Sequence, residues 1–372
     1  MPAVRNVLVI GGGAAGAAVA ILLADGGVTV DLVDVQPDVA AAGSGITLQG
    51  NALRVLRGLG VWERAAAEGY AFDMLGMRAP DPAGTLIAEF TGVRTGGEDL
   101  PVTLGMYRPT LARILVDRAS SAGVAIRFGV RPTSLDGTAV TFSDGTAGAY
   151  DLVIGADGLR SWTRRQLGID VEPQPVGMGI WRAFTGRPAS VTRTDLVYGG
   201  PAYIAGYCPT GADTLYAYLV EDVRDRSGLT PEEALATMRE LAGAYHGPWD
   251  EIRENLTDPA RVNYTAFESH VIDGPWNRGG VVLIGDAAHS CPPTLAQGAA
   301  QALEDASVLA ELLLRDDTLT DGLWQEFTAR RLDRARTVVE ASLQMTRWLL
   351  ARERGDVPGL MARVADLVAT PA

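Results

Sequence analysis

Three hydrophobic textures succeed one another along the chain. Short unbroken apolar runs occur in VRNVLVI (residues 4–10), from Val28 to Val33, in DLVIGAD (151–157) and from Val281 to Ile284. Such runs predict strands buried on both faces, as in a parallel sheet. From about 172 to 275 the runs GMGIWRAF, TDLVYGG, AYIAGYC and TLYAYLV are short, aromatic and alternating, with turn signals between them. They predict an antiparallel sheet inserted into the α/β part. Alternation places Tyr203, Ala205 and Tyr207 on one face of a strand, and Tyr216, Tyr218 and Val220 on one face of the next.

Helical periodicity fills the intervals. It follows the glycine turn at 11–16 and covers Ala52, Leu53, Val55, Leu56 and Leu59, with Asn51 or a neighbour as cap. It returns with Leu111, Ile114, Leu115 and Ala119 just after Arg108, then from about Pro231 to Tyr245, and from Gln297 or Gly298 past Leu314. Residues 70–104 read as strands with turns, and VAIRFGV and AVTFSDG as a strand pair. The arginine-laced run 322–354 reads as amphipathic helix with a solvated charged face. The expected fold class is α/β. Residues 1–70, 101–170 and 276–320 would form a discontinuous Rossmann-like nucleotide-binding domain. Residues 71–100 and 171–275 would form a mainly antiparallel substrate domain, and 321–372 a C-terminal helical segment.

Three strand ends carry chemistry. Gly11-Gly12-Gly13-Ala14-Ala15-Gly16 satisfies GxGxxG between a strand and a helix, and Asp34 ends the next strand. Gly11 permits the tight turn, Gly13 lets a pyrophosphate approach the backbone, Gly16 allows close helix–strand contact, and Asp34 accepts from ribose hydroxyls. This motif does not separate NAD from FAD. Asp157-Gly158 repeats the pattern of strand, turn and acid, followed by Ser161 and the pair Arg164-Arg165. In VVLIGDAAHSCPPTLAQGAAQALEDA, Gly285-Asp286 breaks a strand, a Pro292-Pro293 turn follows, and a helix begins near Gln297. An acid there can hold a sugar or ribityl hydroxyl, and the helix start favours negative charge at a ring edge.

Composition removes several classes. The net charge of −13 and pI of about 4.8 argue against nucleic-acid or anionic-membrane partners. Two cysteines, Cys208 and Cys291, without a CxxC, argue against a disulfide framework or a dithiol reductase. The amino terminus lacks signal-peptide architecture and no run approaches a membrane span, so a cytoplasmic protein is expected. No metal site is expected.

GxGxxG at the amino terminus, GADG near 157 and GDAAH…P…QG…EDA near 285, in this order, resemble the single-component FAD-dependent aromatic hydroxylases typified by 4-hydroxybenzoate and salicylate hydroxylases. The resemblance covers roughly residues 4–330. It implies that Gly11, Gly13, Ala14, Ala15 and Gly16 hold the FAD pyrophosphate, and that Asp34 takes the adenosine ribose. Arg108 would reach FAD, Asp157 and Gly158 would serve FAD and NAD(P)H, and Gly285-Asp286 would meet the ribityl–pyrophosphate region. Pro293 and Gln297-Gly298-Ala299 would lie beside the isoalloxazine. Two departures are Ala296 where the family often has Gly, and Asp34 where Glu is commoner; Ala is still small and Asp still accepts. There is no second GxGxxG for NAD(P)H, which sets aside the flavin disulfide reductases.

The implied reaction uses NADH or NADPH and O2 to hydroxylate a small activated aromatic, phenolic or N-heteroaromatic and open to a carboxylate, through a C4a-hydroperoxyflavin. Such chemistry needs a base or relay, for which His270 is a candidate, with Arg182 for a substrate carboxylate or for NAD(P)H and Tyr203 and Tyr216 as pocket residues. His289 reads as a brace for the FAD site. An oxidase or reductase without oxygen insertion, or a non-catalytic flavoprotein, would carry the same motifs. A monomer or homodimer is expected.

Overall fold

The structure is a computed structural model and describes residues 2–39 and 43–372. A six-stranded sheet forms the floor of the molecule, in the order Asn277–Arg278, Val281–Leu283, Leu152–Gly155, Asn6–Ile10, Thr29–Asp34, Ala125–Phe128. All its pairings are parallel except that of the Asn277–Arg278 edge. The three unbroken apolar runs at its centre are buried on both faces because the helices Ala14–Asp25 and Gly298–Arg315 pack against one side and the Val140, Phe142 and Tyr150 cluster against the other. Ala125–Phe128 belongs to this sheet, beside Thr29–Asp34. The expected pairing of it with Ala139–Phe142 is not formed, since that strand pairs with Pro132–Asp136 and Ala147–Ala149 instead.

The second layer is an eight-stranded sheet in the order His289–Ser290, Val262–Val271, Gln174–Gly186, Thr214–Asp222, Ile204–Pro209, Thr194–Tyr198, Met74–Arg78, Leu86–Thr91. It is antiparallel except between Thr194–Tyr198 and Met74–Arg78. One face buries Trp181, Ala205, Tyr207, Leu215, Ala217 and Leu219 under the helices Pro231–Ala242 and Pro248–Asn255. The first of these starts with a capping box between Thr230 and Glu233, worth about 1 kcal/mol. The other face carries Arg182, Tyr216, Tyr218 and Val220. Tyr203 departs from its expected partners. It precedes the regular strand and packs with Ile204 and Tyr218, not with Ala205 and Tyr207.

His289–Ser290, immediately after the Asp286 turn, pairs with His270–Val271, so the two layers are stitched together at the strand that carries the turn. A three-stranded sheet of Gly45–Gln49, Thr103–Tyr107 and Tyr70–Phe72 fills the seam, with Gly45 against Tyr216 and Gly105 against Pro209 and Cys208. The long helix Asp321–Ala351 and the helix Val357–Ala369 close one side. No helix among the described residues is long and apolar enough to cross a membrane.

Candidate active site

The glycine turn has the geometry a dinucleotide requires. Gly11 adopts φ +104°, and a Cβ there would lie 2.4 Å from the Ala156 carbonyl oxygen. A Cβ on Gly16 would lie 1.9 Å from the Gly11 carbonyl oxygen, which leaves room for no other residue. Gly13 differs: it is exposed, and nothing lies within 4 Å of where its Cβ would be. Open space over one glycine, flanked by two that cannot change, is what a close-approaching pyrophosphate needs. Beneath the turn, the Asp34 carboxylate accepts from Gly12 N–H at 2.6 Å and Gln36 N–H at 2.7 Å. Its orientation is thereby fixed while lone pairs remain for a ribose.

The Gly285-Asp286 turn meets this motif directly. Gly285 takes φ +60°, and its Cα is so close to Ala15 and Ala302 that a Cβ would sit 3.1–3.2 Å from theirs. The two helices after the two motifs therefore converge on one point. Asp286 is open to solvent, yet protein on most sides pushes its carboxyl pKa up, an effect that His289 and Arg108 oppose. Accessibility combined with depth marks the floor of a crevice. Arg108, exposed at the start of its helix and without an ion-pair partner among the described residues, acts electrostatically on both Asp286 and Tyr216. Asp286 and Tyr216 thus both lie within electrostatic reach of this one arginine. Pro293 is exposed in a 3-10 turn at its rim, and Gln297, Gly298 and Ala299 begin the helix behind it.

Ala296 corrects the expectation that smallness suffices there. It adopts φ 53°, ψ 33°, a left-handed conformation that costs an L-residue about 1–2 kcal/mol. The chain turn, not side-chain volume, explains why glycine suits that position.

Asp157 is occupied locally. It accepts from Ser161 Oγ, from Thr163 N–H at 2.8 Å and from Thr163 Oγ1 at 2.9 Å, and so starts the Trp162–Gln166 helix. Its backbone lies against Gly11, whose absent Cβ would be 3.0 Å from the Asp157 Cα. Gly158, at φ +77°, has open space above it. Of the pair, Arg164 is fully buried and Arg165 is exposed.

His270 is not placed as a base. Arg164 Nη1, always a donor, lies 3.2 Å from its Nε2, which must therefore accept, and Nδ1 lies 3.0 Å from Ser290 Oγ. Burial, then the Arg164 charge, pushes its pKa down to about 4. The ring is neutral and committed on both nitrogens, a brace between the layers. Because the unfolded ring titrates near 6.5, the unfolded state takes up a proton first as pH falls. Stability present above pH ~6.5 is lost towards pH ~4, by up to about 3 kcal/mol. A His270→Gln variant is expected to lack that part of the acid slope in denaturant titrations at pH 7 and pH 4.5.

Arg182 and Tyr216 are brought together. Arg182 Nε donates to Tyr216 Oη at 3.1 Å and Nη1 donates to Thr265 Oγ1, while among the described residues the guanidinium has no acidic partner. Burial raises the Tyr216 pKa although Arg182 opposes it, so the phenol keeps its proton and is a donor. Tyr203 points elsewhere, donating to Asp222 Oδ1 at 2.6 Å. Tyr218 takes the place expected for it, its ring 5.0 Å from that of Tyr216.

A buried polar network behind the helix start escaped sequence reasoning. Glu304 and Asp305 receive Arg331, and Glu304 receives Arg334, at 2.7–3.0 Å. Arg331 is 0% exposed and Arg334 8%, which corrects the solvated face expected for that run. Asp305 also accepts from Gly285 N–H at 2.8 Å and meets His289 Nε2 at 2.7 Å. Burial acts to raise the Asp305 pKa, but His289 and Arg331 outweigh it and hold the carboxylate below its usual range. His289 thus supports the turn from behind. Asn51 does not cap its helix; its fully buried amide joins this network.

A family model described as FAD binding domain matches residues 5–342, which takes in all three motifs. The chain belongs to this family. It is 34% identical over 329 residues to 3-amino-4-hydroxybenzoate 2-monooxygenase of Streptomyces cremeus, covering 83% of this chain and 78% of that one. It is 32% identical over 320 residues to the 2-heptyl-3-hydroxy-4(1H)-quinolone synthase of Pseudomonas aeruginosa (strain UCBPP-PA14), covering 82% and 80%. Among solved structures, the tetrameric form of 2-methyl-3-hydroxypyridine-5-carboxylic acid oxygenase superposes with a TM-score of 0.82 at 25% identity, covering 97% and 96%. The protein is an FAD-dependent monooxygenase of the aromatic hydroxylase family, with NAD(P)H and O2 as co-substrates. The open space at Gly13, the fixed Asp34 and the accessible, deep Asp286 fit FAD.

Proposed function

We propose that this monooxygenase hydroxylates a small aromatic or N-heteroaromatic ring carrying an anionic oxygen substituent, a carboxylate or a phenolate. The observation that carries this reading is Arg182: a partly buried guanidinium, oriented by Tyr216 and Thr265, with no acid to neutralise it among the described residues. Such a group favours an anion, and a charge-assisted hydrogen bond in a partly desolvated site is worth about 1.5–3 kcal/mol. Tyr216, kept protonated, offers its hydroxyl hydrogen to the same oxygen, and the rings of Tyr216 and Tyr218 present an apolar surface to the substrate ring. The names of the three relatives above include a hydroxybenzoate, a hydroxyquinolone and a hydroxypyridinecarboxylic acid, the quinolone being the compound its synthase makes, which supports the ring class.

On this reading Gly11, Gly13, Ala14, Ala15, Gly16 and Asp34 hold the adenosine diphosphate half of FAD, with the backbone at Asp157-Gly158 bordering it. Arg108, Gly285, Asp286, Pro293 and Gln297-Gly298-Ala299 would hold its ribityl and ring portions. When bound, FAD supplies the redox chemistry: it takes hydride from NAD(P)H and activates O2. The chain's own residues orient the substrate through Arg182, keep water from the ring with the Tyr216–Tyr218 wall, and favour negative charge at the Gly298 helix start. A cytoplasmic monomer or homodimer completes the proposal, and size-exclusion chromatography with light scattering decides the latter.

Arg182→Met is expected to lower kcat/KM about 10- to 100-fold for an aromatic acid, chiefly through KM, while costing little for the matching carboxamide. Equal losses on acid and amide would remove Arg182 from substrate recognition.

A further inference from the structure

Gln297, the residue before the helix that faces the crevice, is 5% exposed and is held from behind chiefly by Asn51, with a longer bond from Gln301 Nε2 to its Oε1 at 3.5 Å. Asn51 Nδ2 donates to Gln297 Oε1 at 3.1 Å, and Gln297 Nε2 returns a longer bond to Asn51 Oδ1 at 3.4 Å. The same Asn51 Nδ2 donates to Glu304 Oε1 at 3.1 Å, about two turns further along the same helix. Asn51 is therefore a clip between the first turn and the second turn of Gly298–Arg315. Its anchor does not move freely. Arg331 and Arg334 hold Glu304, and Arg334 is itself held by the carbonyl oxygens of Leu367 at 2.6 Å and Thr370 at 2.9 Å. The Asn51 backbone is fixed as well, its N–H donating to Thr95 Oγ1 at 3.2 Å.

On the crevice side, the left-handed turn at Ala296 aims the chain but leaves the Gln297 side chain to be fixed by Asn51, the closer of its two side-chain donors. We propose that Asn51 is a positioning residue for FAD: it sets the direction of the amino-terminal N–H groups of the Gly298 helix, and with them the preference of the site for reduced over oxidised flavin. The inference rests on the placement of FAD given above. A reduced flavin carries extra negative charge, so it gains more than the oxidised form from aligned N–H groups and the positive end of a helix. Asn is suited to the position because one amide must both give to a carboxylate and give to and accept from another amide. Leu cannot do either, and Asp would set a second carboxylate against Glu304.

The test uses FAD-loaded wild type, Asn51→Leu and Asn51→Asp, and measures the two-electron midpoint potential of the bound flavin from pH 6 to pH 8.5, beside the FAD Kd and Tm. Asn51→Leu is expected to weaken the preference for reduced flavin about tenfold, a fall of about 30 mV, at every pH. Asn51→Asp is expected to show at least that fall at pH 8.5 and to return towards the wild type at pH 6, where the new carboxyl is protonated and donates to Glu304 as the amide does. A drop in Tm with the wild-type potential retained at all pH in both variants would overturn the proposal and leave Asn51 a packing residue. Should Asn51→Leu not fold, the pH course of Asn51→Asp decides alone. None of these readings needs an aromatic substrate, so failure of the wild type to hydroxylate would count against the monooxygenase substrate class and not against Asn51.

Discussion

Replacing Gly13 with valine is expected to leave the fold intact and raise the Kd for FAD at least about 100-fold, a loss of ~2.7 kcal/mol. The asymmetry among the three glycines carries this expectation. Gly11 has a positive φ and Gly16 touches the Gly11 carbonyl, so a side chain at either disrupts the protein itself. At Gly13 a Cβ meets nothing from the protein within 4 Å, and an approaching diphosphate would collide with a side chain there. The measurement pairs flavin titration with thermal melting of the apoprotein. Gly13→Val should melt with the wild type and fail to quench or retain FAD, whereas Gly16→Ala should melt early. Unchanged FAD affinity in Gly13→Val would mean that the pyrophosphate lies elsewhere.

The second large effect falls far from the crevice mouth. Arg331→Met is expected to destabilise the protein by about 3–5 kcal/mol, because it strands buried carboxylates that have no water to turn to. Arg331 bridges Glu304 and Asp305, at 3.0 Å and 2.7 Å, and it also donates to Gln301 Oε1 at 2.8 Å. Arg334 and His289 remain in the variant, so the loss should be partial and not a complete failure to fold. Urea denaturation reports it. The variant should also weaken at lower pH less steeply than the wild type, since the Glu304 and Asp305 carboxyls that Arg331 helps hold below their usual range are then easier to protonate in the fold. A loss below about 1 kcal/mol, the size of an exposed pair, would contradict the buried geometry.

The parts of this site legible in the sequence are those whose cause is local. Gly11 and Gly16 are dictated by backbone conformation and contact within a few residues of chain, and strand–turn–acid at Asp34 and Asp286 is a continuous pattern. The misses share a different cause: the partner lies far away in sequence. Ala125–Phe128 follows a helix and reads naturally as paired with the next strand, but its partner is the parallel strand at Thr29–Asp34. Arg331 and Arg334 look like solvent charges until their acids, Glu304 and Asp305, are in view. A signal was present nonetheless. Leu323, Phe327, Arg331, Arg334, Val338 and Met345 fall on one stripe at helical spacing, so both arginines interrupt the apolar face instead of lying opposite it. Asn51 is similar: it stands among Ala52, Leu53, Val55 and Leu56 at a fully buried position. His270 and Tyr203 show the converse error. Their residue types suit catalysis, while their hydrogen bonds to Arg164, Ser290 and Asp222 assign them to structure.

The most direct test of the monooxygenase is NAD(P)H oxidation by purified, FAD-loaded protein under labelled O2, across a panel of phenols, hydroxybenzoates and hydroxylated N-heteroaromatics. Substrate-stimulated oxidation with one 18O atom in a hydroxylated product is the expected result. Stimulated oxidation that yields peroxide and an unlabelled product for every compound would contradict it and mark the protein as an oxidase.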